Sequence, residues 1–552
     1  MTVADLIAEA EAWADSDPDP HTTAELLDLV ERADAGDQEA LAELADAFDG
    51  TLSFGTAGLR GRLGPGSNRM NRVVVARAAA GLADYLRSHG GSRIVIGYDA
   101  RRNSDRFAHD TAEIMAAAGV QAYVFPRHLP TPVLAFAIRH LDCDAGVMVT
   151  ASHNPPDDNG YKVYLGDGSQ IVPPADAEIA ACIQSVGPVS DIARSSDYEV
   201  LGEDVLAAYL ERAVSLLPEG GPREIRSVYT AMHGVGGEVF LRAVTGAGFP
   251  APLPVAAQFE PDPRFPTVSF PNPEEPGAMD LALAAAQSHD ADLIIANDPD
   301  ADRCSVGIRT DDGWRMLTGD EVGALLGWWI AQRRAAAGQE PVGTMAESIV
   351  SGTLLARIAE DAGYDFATTL TGFKWIARAP DLVFGYEEAL GYCVDPAAVA
   401  DKDGITASLL FLELAAHLAA QGRDVQDALD DLARRFGLYL TGPLAVRVAD
   451  VGLIEKMMDR LRDDPPSELG GRPILRIEDL ARGGDGLPPT DGLRFTMADA
   501  RVIIRPSGTE PKLKCYLQVV VPAGEDLSAA KAAGQAELAT VRASVAAALG
   551  VG

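Results

Sequence analysis

The chain has 552 residues, 47% of them hydrophobic, and 46 Lys and Arg stand against 81 Asp and Glu, a formal net charge of −35. That length suits several domains of ~100–200 residues each. The charge argues against non-specific binding to nucleic acid and to an anionic membrane surface, both of which recruit Lys and Arg. A small anionic substrate then needs a local basic pocket set against the global field. Five scattered cysteines (Cys143, Cys182, Cys304, Cys393, Cys515) are odd in number and lack metal-ligand spacing, as for reduced thiols in the cytoplasm. The first basic residue is Arg32, so MTVADLIAEAEAW does not read as a signal peptide. No apolar run approaches the ~20 residues of a membrane span, and GALLGWWIA (323–331) reads as core helix.

In chain order, the acidic, alanine-rich residues 1–50 predict two short helices packed as an N-terminal arm. A helix follows at 73–90, with Gly90 as its stop, then a strand at 93–101, a helix at 107–119, a strand at 121–126, a helix at 134–141 and a strand at 144–152. This βαβ series predicts a sheet with helices on both faces. The rhythm returns with strands at 228–234 and 253–257, a helix over LALAAAQSHD, and the buried strand DLIIAND (292–298). A third round runs from GDEVGALLGWWIAQRRA through VGTMAES, GTLLARIAEDAG, ATTLTG and FGYEEALGY to ASLLFLELAAHLAAQG. These make three α/β units of similar size, without a strict repeat. The remainder, from LYLTGPLAVRVAD through LKCYLQVVV to an alanine-rich helix, groups strands beside helices as an α+β domain. RDDPPSELGG and GGDGLPPTDG read as its surface loops.

Several stretches carry chemistry. FGTAGLRGRLG (54–64) is a glycine-rich turn with Arg60, and it is not a P-loop. TASHNPPDDNGYK (150–162) sets Ser152 beside His153 on a stiff turn, with Lys162 ten residues on. No GxSxG elbow surrounds the serine. A hydroxyl that exchanges a phosphoryl group needs in-line geometry and charge neutralisation more than a strong base, so Ser152 fits a phosphate carrier as well as a turn residue. In LIIANDPDADRCSVG, Asp298, Asp300 and Asp302 alternate directly after an apolar strand and before Arg303. Such crowded carboxylates repel unless a cation sits among them, and hard oxygen donors suit Mg²⁺. The bland alternative is a solvated acidic turn. HGVGGEVF (233–240) lacks the third glycine of a dinucleotide fingerprint, which leaves His233 as a structural loop residue. TGFKW (371–375) adds Gly372 and Lys374, and FGYEEALGY (384–392) adds Glu387 and Glu388, which fit either sugar hydroxyls or the solvent. RPSGTEPKLK gathers Arg505, Ser507, Gly508, Thr509 and Lys512 in one turn, the donor set a phosphate dianion requires.

Taken together, these pieces resemble the α-D-phosphohexomutase superfamily, the phosphoglucomutase/phosphomannomutase family. TASHNPPDDNGYK matches its phosphoserine loop, DPDADR its metal loop, GYEEALG its sugar loop and RPSGTEP its phosphate loop, in the family's order. FGTAGLRG and TLTGFKW match too, and the likeness covers residues 50–520. It implies four domains around a central cleft, three similar α/β units with mixed sheets plus a C-terminal α+β domain. The boundaries expected are 1–195, 196–315, 316–436 and 437–552. It also implies a cytoplasmic phosphohexomutase, monomeric or a small homo-oligomer, that interconverts the 1- and 6-phosphates of glucose or mannose. Ser152 would be the phosphorylated residue and, with Asp298, Asp300 and Asp302, would hold Mg²⁺. Lys162 would act as general acid/base with His153 beside it, and Arg60 and Arg303 would support the moving phosphoryl group. Glu387, with Ala389, Gly372 and Lys374, would read the sugar. Arg505, Ser507, Gly508, Thr509 and Lys512 would grip the unreacting phosphate. A hexose 1,6-bisphosphate would serve as intermediate and activator.

One position departs from the pattern. The common sugar loop has a serine two residues after the glutamate, where this chain has Ala389. That variant resembles the branch holding some phosphoglucomutases and the phosphopentomutases of ribose 1-phosphate, so the sugar stays open. A bisphosphate synthase is a further alternative within the family. The rivals outside it are a haloacid-dehalogenase-type phosphatase, with Asp298 as nucleophile, and a non-catalytic sugar-phosphate binder.

Overall fold

The computed structural model describes residues 2–55, 58–448, 452–484, 486–507 and 512–551. The chain forms two compact units, Met1–Arg315 with Tyr392–His417, and Met316–Gly391 with Leu418–Gly552.

The first unit opens with three helices, α1 (Val3–Ser16), α2 (Pro20–Asp34) and α3 (Gln38–Ala47), where the sequence predicts two. Side chains decide the breaks. Asp19 caps α2 by accepting from the His21 amide, with Pro20 at the first helical position, and Asp37 caps α3 through the amides of Glu39 and Ala40. Leu6, Ala10, Leu26, Val30, Leu44 and Phe48 close a small core among the three.

Strands β1 (Leu59–Arg62), β2 (Arg93–Tyr98), β3 (Gln121–Val124), β4 (Ala145–Val149), β5 (Asp158–Leu165) and β6 (Glu199–Val200) form a sheet in the order β1-β5-β4-β2-β3-β6. Parallel pairing of β2 with β3 and β4 is the βαβ pattern read from the sequence. The end of the stretch read as one loop, 150–162, is instead strand β5, which returns antiparallel to β4 and sets Lys162 opposite Met148. Strand β1 then pairs antiparallel with β5, Arg60 opposite Gly160. The sheet is therefore mixed, and it is fully buried through β4.

A second sheet in this unit comprises β7 (Ser227–Thr230), β8 (Leu253–Pro254), β9 (Leu293–Ala296), β10 (Ser305–Thr310) and β11 (Gly313–Met316), in the order β11-β10-β9-β7-β8. The expected strand at 253–257 is cut to two residues because Ala256–Phe259 turns into a helix. Strand β9 (LIIA) is wholly buried and runs parallel to β7, and β10 returns antiparallel beside it. The DPDADR segment is thus the tight connection between two buried strands.

In the second unit, β12 (Thr344–Ser348), β13 (Asp365–Thr369) and β14 (Leu382–Glu387) make a sheet ordered β13-β12-β14, and β15 (Gly391–Cys393) follows where the chain passes into the first unit. Strands β16 (Leu438–Arg447), β19 (Arg476–Asp479), β20 (Leu493–Thr496), β21 (Ala500–Pro506) and β22 (Lys512–Val521) form an antiparallel sheet, beside a short hairpin of β17 (Glu468–Leu469) and β18 (Arg472–Pro473). The terminal helix Leu527–Leu549 packs Leu538, Val541 and Val545 against Phe495, Val502 and Leu517, the α+β arrangement expected. Among the described residues, no single helix is long and apolar enough to cross a membrane.

Candidate active site

Ser152 sits just past β4, buried, with φ of +53°. A non-glycine residue holds that left-handed backbone only under constraint. Its amide donates to Thr150 Oγ1 at 2.8 Å, and its Oγ donates to Asp298 Oδ2 at 2.9 Å. His153 Nδ1 lies 3.1 Å from the same Oγ. A hydroxyl has one proton, so with that proton on the bond to Asp298 the imidazole is the donor. Burial, then Arg303 and Arg60, holds the His153 imidazole well below its ordinary range, so it is neutral. Arg60 Nη1 donates to Asn154 Oδ1 at 3.1 Å, which ties β1 to the serine loop. The crossing needs a glycine at 160, because a Cβ there would stand 2.6 Å from Thr150 O and 2.9 Å from Leu59 O.

Asp298, Asp300 and Asp302 are buried, and one carboxylate oxygen from each lies within 4.8 Å of the others. Lys162 Nζ donates to Asp300 Oδ2 at 2.8 Å and to Asp302 Oδ2 at 2.9 Å. Burial draws the Lys162 ammonium down, but Asp300 and Asp302 raise it by more, so it is held charged. Thr131 Oγ1 donates to Asp300 Oδ2 at 2.7 Å, and the Thr131 amide to the Asp300 carbonyl at 2.9 Å. Arg303 Nε lies 3.9 Å from both Asp298 Oδ2 and Asp302 Oδ1, and its amide donates to Asp298 Oδ1 at 3.0 Å. Lys162, Lys402 and Arg303 hold Asp302 well below the usual carboxylate range despite burial. Asp298 is pushed well above it, by burial and then by Asp300 and Asp302. Charge is therefore compensated more fully at Asp302 than at Asp298, beside Ser152, where burial and the two neighbouring carboxylates outweigh Arg303 and Lys162. The buried oxygens Asp300 Oδ1 and Asp302 Oδ1 accept no hydrogen bond. Hard, orphaned oxygens around a charge deficit fit a divalent cation such as Mg²⁺.

The segment Tyr392–His417 adds a residue that the sequence reading missed. Lys402 Nζ lies 3.3 Å from Asp302 Oδ2 and 3.7 Å from Asp401 Oδ1. Asp401 in turn accepts from Tyr164 OH and Gln170 Nε2, each at 2.8 Å. The signal was DKDG (401–404), a lysine between two acids directly before a helix. The last residue of that run, Gly404, is packed so that a Cβ would meet Arg303 O at 2.2 Å.

In the second unit Glu387 ends β14, half-buried. Glu388 Oε2 accepts from Ser348 Oγ at 2.9 Å and Ser351 Oγ at 3.0 Å, so this second glutamate is held by its own unit. Burial, then Glu387 and Asp320, pushes its carboxyl up to about 7. Ala389 follows, half-buried, with Leu390 at φ +64° turning the chain. Gly372 (φ +105°) precedes the short helix Phe373–Ile376, which carries Lys374. Arg505 Nη1 donates to Thr371 Oγ1 at 2.6 Å, which brings the RPSGTEP arginine to the TGFKW turn. Ser507 N donates to Lys512 O at 2.9 Å and closes the hairpin between β21 and β22. Gly508 and Thr509 lie outside the described residues. Tyr516, on β22 and not anticipated, has its hydroxyl pushed up by burial and by Glu388 and Glu387, against the pull of Arg505. His233, read as structural, is buried with Nε2 2.8 Å from Thr267 Oγ1.

Models of the phosphoglucomutase/phosphomannomutase domains match the chain in order: alpha/beta/alpha domain I at residues 51–188, domain II at 207–312, domain III at 318–436 and the C-terminal domain at 444–533. The chain belongs to the phosphoglucomutase/phosphomannomutase family. Its members are phosphotransferase isomerases, so it is an enzyme of that class, which sets aside the haloacid-dehalogenase and non-catalytic readings. The chain is 51% identical over 456 residues (81% of this chain, 92% of the relative) to a probable phosphomannomutase of Haemophilus influenzae. It is 35% identical over 555 residues (90% and 89%) to a phosphopentomutase of Homo sapiens. Among solved structures, a putative phosphomannomutase from Thermus thermophilus superposes with a TM-score of 0.68 at 26% identity, over 89% of this chain and 99% of that one.

Proposed function

We propose that the protein interconverts a hexose 1-phosphate (glucose, mannose or both) with its 6-phosphate through a phosphorylated Ser152 and a hexose 1,6-bisphosphate. One observation carries the reading: the Ser152 hydroxyl is held on a strained, buried turn 2.9 Å from a carboxylate of a three-aspartate cradle. That arrangement suits a phosphate carrier beside a cation and has no use in an ordinary turn. Asp298, Asp300, Asp302 and the seryl phosphate would hold Mg²⁺, which would neutralise charge on the moving phosphoryl group.

The chain's own residues divide the remaining work. In the first half-reaction the P–Oγ bond of phosphoserine breaks as a sugar hydroxyl oxygen bonds to phosphorus. The hydroxyl loses its proton and the serine oxygen regains one. Lys162, held as an ammonium, gives its proton to the departing serine Oγ, and the proton released by the sugar hydroxyl restores the ammonium, so each half-reaction leaves Lys162 as it began; the second half-reaction runs the same exchange in the opposite sense. Neutral His153 orients Oγ, while Arg60, Arg303 and Lys402 supply positive charge around the transfer. Glu387, Ala389, Gly372 and Lys374 are proposed to recognise the sugar. Arg505, Ser507, Gly508, Thr509 and Lys512 are proposed for the phosphate that does not react. Five free thiols, four of them buried, fit a reducing compartment, the cytoplasm.

A second reading, phosphopentomutase, is favoured by Ala389. It removes the hydroxyl of the family's common sugar loop, a variant that resembles the branch holding some phosphoglucomutases and the phosphopentomutases, and the 35% identity to a phosphopentomutase runs over 90% of the chain.

³¹P NMR with Mg²⁺, trace hexose 1,6-bisphosphate and separate samples of glucose, mannose and ribose 1-phosphate tests both. Conversion of one 1-phosphate peak to its 6- or 5-phosphate without free phosphate names the sugar. Ser152→Ala is expected to reduce the rate at least ~10³-fold. Steady growth of inorganic phosphate, undiminished in that variant, would overturn the proposal.

A further inference from the structure

Straight after β2, GYDAR places Asp99 and Arg101, and both side chains are only 1% exposed. The Arg101 guanidinium points into the serine loop. Its Nη2 donates to the carbonyls of Ser152 at 2.7 Å and Asn154 at 2.6 Å. Its Nη1 donates to those of Pro155 at 2.7 Å and Asp158 at 3.1 Å. One planar fork therefore ties the loop from the serine to the first residue of β5. Asp99 backs it: Oδ2 lies 3.4 Å from Arg101 Nε, and Oδ1 accepts from the Arg101 amide at 3.0 Å and from Ser104 Oγ at 2.7 Å. Asn159 Nδ2 donates to that same Ser104 Oγ at 3.0 Å and to Arg102 O at 2.9 Å, so the far end of the loop is joined to the same cluster. The Phe265 ring lies 4.9 Å from the guanidinium carbon.

This amounts to more than satisfying a buried charge. Ser152 keeps a left-handed backbone, and such a residue persists only where its surroundings over-determine it. Its own carbonyl is one of the four that Arg101 holds. No lysine can replace the fork, since an ammonium presents three donors from one atom and cannot reach four carbonyls spread over seven residues.

We propose that Arg101, backed by Asp99, is the positioning residue of the phosphoserine loop. It fixes the direction of Ser152 Oγ toward the aspartate cradle without touching substrate. The proposal rests on Ser152 being the phosphoryl carrier. Its first consequence is kinetic: loosening the fork slows phosphoryl transfer in both directions and leaves substrate binding alone, because a displacement of the nucleophile by ~1 Å is worth about 10²-fold in rate.

The test uses full-length Arg101→Lys, with Asp99→Asn as a second, milder variant and Arg72→Lys as a control for loss of a buried arginine. Arg72 is paired with Asp110 at 2.7 and 2.8 Å, away from the loop. Measurements are made below the melting point of each variant. The expected result is a kcat lowered ~100-fold in Arg101→Lys and ~10-fold in Asp99→Asn, with KM within roughly threefold of the parent. Arg72→Lys is expected to melt earlier with kcat unchanged. Hydrogen exchange supplies a readout that needs no activity. The Asn154 and Asp158 amides, bonded to Ala151 O and Pro155 O, should lose protection in Arg101→Lys and keep it in Arg72→Lys. A folded Arg101→Lys with parental kcat overturns the proposal. If the parent itself turns over no sugar phosphate, the mutase reading fails, and the exchange result alone decides the clamp: unchanged protection overturns it.

Discussion

At the scale of single residues, the site is built by contacts too close for alternatives. Gly404 abuts the Arg303 carbonyl, so its replacement by alanine must push the aspartate loop or the start of the helix Gly404–Ala420. Gly404→Ala is expected to cost about 1–3 kcal/mol of stability, as overpacking does, and to lower kcat. Thermal melts and initial rates check it, and an unchanged melt would show that the loop yields freely. Ser152, His153, Lys162, the three aspartates and Arg303 are legible in the sequence as candidates because each motif packs its polar groups into one short run, and the structure brings them together. Lys402, Arg101 and Tyr516 stayed hidden for the opposite reason. Lys402 meets an aspartate 100 positions away in the chain, and Arg101 meets carbonyls about 50 positions away. Nothing local marks such partners beyond a charge beside an apolar strand or helix.

Elements explain how those residues are kept in place. The arm's last helix, α3, anchors the return of β1: Glu43 bonds Arg62 at 3.0 Å, and Arg69, 5% exposed, bonds Glu43 at 3.2 Å and Asp46 at 2.5 Å. Asn68 N and Nδ2 donate to Ala47 O and Asp46 O. This is the strand that carries Arg60. Asp46→Ala is expected to lower stability by about 1 kcal/mol, discounted because the carboxylate is mostly exposed. Deleting residues 2–50 should raise KM for the sugar phosphate, which a truncation assay reads; equal KM would confine the arm to packing. A pH effect belongs to the turn after β14. The Glu388 carboxyl is raised to about 7 in the fold against 4.5 when exposed. The folded state then binds the proton more tightly, so the stability it contributes is present below 4.5 and lost as pH rises toward 7. Melting curves at pH 5 and 8 should differ more for the parent than for Glu388→Gln; equal differences would refute it. The sequence fell short on elements where tertiary pairing decides: β5 looked like loop because prolines and polar residues precede it, and its strand state comes from β4 and β1 on either side.

For the whole molecule, charge and chain path matter most. A net charge of −35 concentrates divalent cations near the protein and repels anionic substrates. Salt screens the first effect, so the Mg²⁺ dissociation constant is expected to rise on the order of 5–10-fold between 20 and 200 mM KCl. Titration calorimetry reads it, Asp300→Asn should abolish the heat, and a salt-independent constant would show that only the local cradle counts. The alternation of apolar strands and helices made the three α/β rounds and the final α+β domain legible along the chain. Which stretch joins which compact unit was not legible, since composition is silent on it. The chain changes unit at 315/316, 391/392 and 417/418. The stretch matched by domain III, 318–436, therefore donates its interior, Tyr392–His417, to the first unit. Heredity follows from that interleaving. A hybrid made by trading residues 318–436 with a relative's imports a new GYEEALG loop and a new occupant of position 402 in one stroke. The GYEEALG loop proposed to read the sugar and the lysine beside the three aspartates travel as one cassette, and recombination at the apparent domain borders cannot part them.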